Sequence, residues 1–207
     1  MQVAIPLYPR FTALDAVGPY TVMAFAPAFT VTFVAATPGP ILDDQGTLSL
    51  TATATYTDLP TPDIVIVPGG PGTLDALTDR PLLDWLTEAD HHTTWTTSVC
   101  SGSFILAAAG LLKNRKATTH WAFLDQLPTF GTTPVPARVV TDGKYVTAAG
   151  VSSGIDMALT LLAQATDVLT AESVQLAMEY DPDPPFNAGS PKTAAPAVRE
   201  RALTLFA

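Results

Sequence analysis

Short apolar runs alternate along the chain with stretches whose apolar positions recur every three or four residues, which predicts strands and helices in turn. Gln2–Leu7 reads as a first strand and Asp15–Phe25 as a helix. Thr30–Ala36, rich in β-branched and aromatic residues, reads as a second strand. Ile41–Asp43 and Leu48–Thr51 flank Asp44-Gln45-Gly46 and predict a small hairpin added to the main sheet. Ile64-Val65-Ile66-Val67 is apolar throughout and stops abruptly at Pro68-Gly69-Gly70-Pro71-Gly72. Such a strand belongs in the middle of a parallel sheet covered on both faces.

Arg80–His92 carries Leu82, Leu83, Leu86 and Ala89 on one helical face. Trp95–Val99 is the next strand, and it runs straight into Cys100 and a small-residue helix from Ser103 to about Leu112. Val139–Val140 and Tyr145–Thr147 flank Asp142-Gly143, a pair that favours a tight hairpin. Ile155–Ala165 is apolar nearly all round and predicts a buried helix, and Ala171–Glu179 predicts another. From about residue 180 to 207 the chain is Pro-rich (Pro182, Pro184, Pro185, Pro191, Pro196), which predicts an extended tail wrapping the body.

No repeat, linker or composition break precedes that tail, so residues 1–207 read as one domain. The alternation implies an α/β fold with a mostly parallel sheet between helix layers. Active sites of such sheets lie outside the carboxyl ends of the strands. Three loops should meet there: the one after the first strand, Pro68–Gly72, and Cys100–Ser103.

The totals narrow the function. With 47% hydrophobic and 14% charged residues over 207 positions the composition is globular. A formal net charge of −9 without a concentrated basic patch argues against nucleic acid as a direct partner. Met1–Pro6 has no charged leader, no apolar run reaches bilayer length, and a single cysteine forms no internal disulfide. The expectation is a cytoplasmic protein away from membranes. No metal-ligand spacing of a recognised kind occurs.

Ser98-Val99-Cys100-Ser101-Gly102 carries the candidate chemistry. A nucleophile-type residue between a strand and a helix, with small neighbours, has the layout of a nucleophile elbow. A helix start beside the sulfur stabilises the thiolate, the form that attacks. Backbone N–H groups near Ser101 and Gly70 would form an anion-stabilising pocket, with Gly69 and Gly70 letting backbone amides approach the reacting centre. The competing reading of Cys100 is a small buried hydrophobe, and only its strand–Cys–x–Gly–helix context favours reactivity. Asp15 reads either as a helix N-cap or as an acid that exchanges a proton near the thiol. His120, in Ala117-Thr118-Thr119-His120-Trp121, reads as a pocket-lining residue or as a packed, capping one. Ser101 stands where a triad-type hydrolase would carry an adjacent histidine.

Leu14-Asp15-Ala16-Val17-Gly18-Pro19, Val67-Pro68-Gly69-Gly70 and Ser98–Ser103 resemble the ThiJ/PfpI superfamily, the cysteine branch of class I glutamine amidotransferase-like folds. Within it the chain is most similar to the isocyanide hydratases, through Ala107–Leu112, Ala117–Trp121, Gly150–Asp156 and the string Glu179–Pro191. The resemblance implies a flavodoxin-like three-layer sandwich, a homodimer, and hydration of a small-molecule isocyanide to an N-formamide without metal or cofactor. By position it implies Cys100 as nucleophile and Asp15 as acidic partner, in place of the glutamate found elsewhere in the superfamily. The family usually has threonine after the cysteine, whereas this chain has Ser101, which keeps the hydroxyl and loses the methyl. Other activities of the superfamily are the alternatives, namely α-oxoaldehyde or glycation handling and redox stress. So is a ligand-sensing domain like those fused to AraC-type transcription regulators.

Overall fold

The computed structural model describes residues 1–206. In chain order the elements are β1 (Gln2–Pro6), α1 (Ala13–Phe25), β2 (Thr30–Ala35), β3 (Gly39–Leu42), β4 (Ser49–Ala52), β5 (Ala54–Thr55) and β6 (Ile64–Val67). There follow α2 (Thr73–Ala76), α3 (Arg80–Asp90), β7 (Trp95–Val99), α4 (Gly102–Ala108) and β8 (Lys116–Ala117). A 3₁₀ helix (Trp121–Phe130), β9 (Thr133–Pro134), β10 (Val139–Asp142), β11 (Tyr145–Ala148), α5 (Ser153–Ala165), α6 (Val168–Ala177) and α7 (Pro196–Leu203) follow, and a 3₁₀ turn spans Thr204–Phe206.

Seven strands form the central sheet in the order β10-β11-β7-β6-β1-β2-β5. Every pairing is parallel except β10 with β11, which is the expected hairpin around Asp142-Gly143. Burial on both faces explains the sequence of β6, whose four residues are all buried. α1, α5 and α6 pack among themselves, while α4 packs with α2, α3 and the Trp121–Phe130 helix. The sheet thus lies between two helical layers. α3 begins where Asp79 accepts the Leu82 N–H at 3.3 Å and Pro81 occupies the first turn. Its inner face buries Leu82 and Leu86, each worth roughly 1.5–3 kcal/mol relative to exposure.

Four expectations are corrected. The 39–52 hairpin is a separate two-stranded sheet and not an extension of the main one; the short β5, hidden in a Thr-rich stretch, takes the edge beside β2. α4 stops at Ala108, because Gly110 at φ +81° turns the chain out of the helix well before Leu112. α5 buries one face only, around Met157, Ala158, Leu161 and Leu162. The tail is not wholly extended: Pro196, at a position whose missing N–H costs a helix nothing, opens α7, and most of the segment is exposed. Among the described residues no helix is long and apolar enough to cross a membrane.

Candidate functional site

The loops that follow β1, β6, β7 and β11 converge at the carboxyl edge of the sheet, where β6 and β7 lie side by side. Cys100 is the first residue beyond β7 and has φ +56°, in the left-handed region. A non-glycine residue there carries strain of about 1–3 kcal/mol, which surrounding bonds must hold. They do so from both sides. The Cys100 N–H is directed at the carbonyls of Ala149 (2.8 Å) and Ala148 (3.1 Å). Its carbonyl accepts the hydroxyls of Thr119 (2.9 Å) and Ser103 (3.3 Å). Gly102 is needed next to it, since a β-carbon there would run into the carbonyls of Val67 and Pro68.

Asp15 sits in the first turn of α1 and is fully buried. It is not the N-cap: Thr12 holds that position, and the Asp15 carboxyl turns inward instead. Its Oδ2 accepts the Gly69 N–H at 2.9 Å, and its Oδ1 has no hydrogen-bond partner. The Cys100 thiol lies beside the same carboxyl. Burial is the main cause that pushes the Asp15 pKa from its ordinary 3.8 up to about 8, opposed by the Gly69 N–H and aided by the charge of Asp44. Asp15 is therefore a neutral acid at pH 7.

Burial also raises the Cys100 thiol, and a charged Asp15 would raise it further. A protonated Asp15 removes that repulsion. What then stabilises the thiolate are the Ser101 N–H, the Ser101 hydroxyl and the Val151 N–H, all directed at the sulfur.

Ser101 is fixed by its own neighbours. Its Oγ accepts the Gly70 N–H at 2.9 Å and lies 2.9 Å from Thr73 Oγ1. Tyr8, whose OH donates to the Pro68 carbonyl at 2.7 Å, sits 3.2 Å from the same threonine hydroxyl. A hydroxyl accepts two hydrogen bonds and donates one. The Gly70 N–H donates into Ser101 Oγ, and the Ser101 hydroxyl lies within hydrogen-bond reach of the Cys100 sulfur. Tyr8 stays protonated, because burial raises its pKa.

The two loop glycines accordingly have engaged amides: Gly69 holds Asp15 and Gly70 holds Ser101. Their N–H groups orient Asp15 and Ser101, whereas the sequence had suggested amides left open to a substrate anion. A β-carbon on Gly69 would fall 2.5 Å from the Ser101 nitrogen, and Gly70 has φ +134°. His120 takes the capping and packing role. Its Nδ1 accepts the Ala122 N–H at 3.3 Å as a cap, and its ring lies against Gly150, one residue from Val151. Tyr8, Thr73, Thr119 and Val151 were not singled out from sequence; Thr73 directly follows the Pro68–Gly72 loop, the one local signal available. Among the described residues no three His, Cys, Asp or Glu side chains gather closely enough to hold a metal ion.

The chain is similar to several known proteins. An isonitrile hydratase of Pseudomonas putida is 44% identical over 202 residues, covering 98% of this chain and 88% of that one. The transcriptional regulator CdhR of Pseudomonas aeruginosa is 34% identical, over 61% of this chain and 38% of its own length. The crystal structure of a ThiJ/PfpI family protein from Pseudomonas syringae superposes with a TM-score of 0.95 at 43% identity, covering 99% of this chain and 85% of that one. Drosophila melanogaster DJ-1beta, at 16% identity and a TM-score of 0.78, shares the fold. The DJ-1/PfpI family model matches residues 1–164, which include Asp15, the Gly69-Gly70 loop and Cys100, and the chain belongs to that family.

Proposed function

We propose that the protein is an isocyanide hydratase in which Cys100 is the nucleophile and Asp15 the acid. The observation that carries this reading is the pair itself: a buried carboxyl with a pKa of about 8 beside a thiol held at φ +56° on the end of β7. The likeness to the Pseudomonas putida isonitrile hydratase across 98% of the chain names the substrate class.

The terminal carbon of an isocyanide is electrophilic toward a soft thiolate. Cys100 Sγ bonds to that carbon, and the carbon takes a proton from Asp15, giving a thioimidate. Water then adds across the C=N bond, with the nitrogen taking up a proton. Collapse of the tetrahedral adduct breaks the C–S bond, passes the hydroxyl proton back to the Asp15 carboxylate, releases the N-formamide and returns the thiolate. The net change is the addition of one water, and the covalent step divides one difficult reaction into two easier ones. In this reading the strand-to-helix junction at Cys100 is a nucleophile elbow, and Ser101 and Val151 hold the sulfur anion.

The reading also carries a homodimer and a cytoplasmic location. Large apolar side chains left open on α6 and the tail, such as Leu176, Phe186 and Leu205, support a second copy. Light scattering on the purified protein checks it, and a monomer at micromolar concentration would contradict it. The likeness to a transcription regulator supports a sensing role less well, since it spans only 61% of this chain.

Phenyl isocyanide mixed with the purified protein, with formamide followed over time, tests the activity. Turnover is expected in the wild type and absent in Cys100→Ala. A Cys100→Ala variant with wild-type turnover would rule out the covalent route. A wild type that converts methylglyoxal but no isocyanide would move the protein to another activity of its fold.

A further inference from the structure

Phe206, in the C-terminal 3₁₀ turn, joins an aromatic cluster that is linked to the Cys100 backbone. His120, buried, lies edge to face with Phe206 at 4.9 Å between ring centroids, and its centroid is 5.7 Å from that of Phe123. Phe123 and Phe206 are 6.0 Å apart, and Trp121 flanks His120 at 5.6 Å. The cluster adjoins the reacting centre through two short links. Thr119, the residue before His120, donates to the Cys100 carbonyl. Gly150, against which the His120 ring packs, stands between Ala149, which accepts the Cys100 N–H, and Val151, which donates to the sulfur. Phe206 itself remains 53% exposed, so part of its ring is free for another group. Burial lowers the His120 pKa, which keeps that ring uncharged at neutral pH.

We propose that Phe206, with Phe123 and His120, forms the wall that receives the nitrogen substituent of the substrate, so that the enzyme prefers aryl isocyanides over small alkyl ones. The proposal rests on the hydratase reading for the reaction but not for the wall. An isocyanide is linear at its reacting end, so carbon bound at Sγ carries the substituent away from the sulfur. A flat apolar substituent leaving that point gains edge-to-face contact with aromatic neighbours, while a methyl group is too short to reach them. Phe206 comes from the tail, which places substrate choice on a segment distant in sequence from the reacting residues.

The ratio of kcat/KM for phenyl isocyanide to that for methyl isocyanide tests this. Phe206→Ala is expected to lower the ratio roughly tenfold and Phe206→Tyr to keep it. An unchanged ratio in Phe206→Ala overturns the wall. A second measurement does not depend on hydration: the rate of Cys100 alkylation by N-benzyl iodoacetamide relative to iodoacetamide. That ratio should also fall in Phe206→Ala, and equal ratios would overturn the wall. If the wild type hydrates no isocyanide, the reaction assignment fails while the alkylation ratio still decides the wall.

Discussion

Gly69 donates its backbone N–H to Asp15 Oδ2 at 2.9 Å and leaves Oδ1 without a hydrogen-bond partner. One donor orients the carboxyl, and one is too few to keep a buried carboxylate charged. A group that is to hand over a proton at neutral pH needs that balance of fixed direction and raised pKa.

The first prediction follows from the Asp15 pKa of about 8. As pH rises through about 8 the carboxyl ionises, loses the proton it would donate and begins to repel the thiolate, so kcat should fall on that limb. Asp15→Asn should lose roughly 10²- to 10⁴-fold in kcat and no longer show a limb from this group. An Asn variant retaining that limb would assign it elsewhere.

The same carboxyl sets a pH dependence of stability. Between the ordinary 3.8 and about 8, unfolded Asp15 is ionised while folded Asp15 keeps its proton. The folded state binds more protons in that window, so the Asp15 contribution to stability is fully present below it and is lost as pH rises. Asp15→Asn keeps an oxygen for the Gly69 N–H and carries no ionisation penalty. Its stability relative to wild type should therefore grow between pH 4 and 8 and level off above, which urea melts at several pH values would show. A constant difference across the window would contradict the burial argument.

Ser101→Ala would remove a donor to the sulfur and leave the Gly70 N–H unpaired, at a cost of about 1–3 kcal/mol in stability. Cys100 alkylation at pH 7 should slow in this variant. Thr73→Val should slow it less, since the Gly70 N–H still orients the Ser101 hydroxyl. Ser101→Thr, which keeps the hydroxyl, should alkylate close to the wild-type rate. If alanine and threonine variants react equally fast, the hydroxyl does not touch the thiolate.

Gly69→Ala would force a β-carbon to 2.5 Å from the Ser101 nitrogen. Either the 68–72 loop or the Cys100 turn must shift, at an expected cost of about 1–3 kcal/mol. Activity should fall further than stability, because both the Asp15 and the Ser101 contacts run through this loop. A variant with full activity would show that the loop has slack.

The opposite end of the sheet offers a contrast. Asp90 accepts the hydroxyls of Thr96 (2.6 Å) and Tyr145 (2.9 Å) and pairs with Lys144 at the starts of β7 and β11. Asp90→Ala would strand these partners and is expected to cost about 3 kcal/mol. Cys100 lies at the far ends of those strands, so its alkylation rate should not change. A changed rate would mean the two ends of β7 are coupled.

Much of this was legible in the chain. The apolar run Ile64–Val67, the β-branched Thr30–Ala35 and the Val99-Cys100 junction are local signals, because strand period and the demand for small residues at a tight turn are written residue by residue. The resemblance of the Leu14–Pro19 and Ser98–Ser103 segments brought Asp15 and Cys100 forward together. Boundaries were less legible where one glycine decided them, as at Gly110, and short edge strands such as β5 carry too few residues to show a period.

The sequence by itself determined that strands and helices alternate, that β6 lies inside the sheet, and that Cys100 stands at a strand end. Only the tertiary structure decided what surrounds the sulfur. Val151, Thr119, Tyr8 and Thr73 come from segments separated by tens of residues, and local pattern does not show that they meet. It also decided the state of Asp15. A carboxyl is neutral at pH 7 because other chain segments exclude water from it, and burial of that kind is a property of packing rather than of any stretch of sequence.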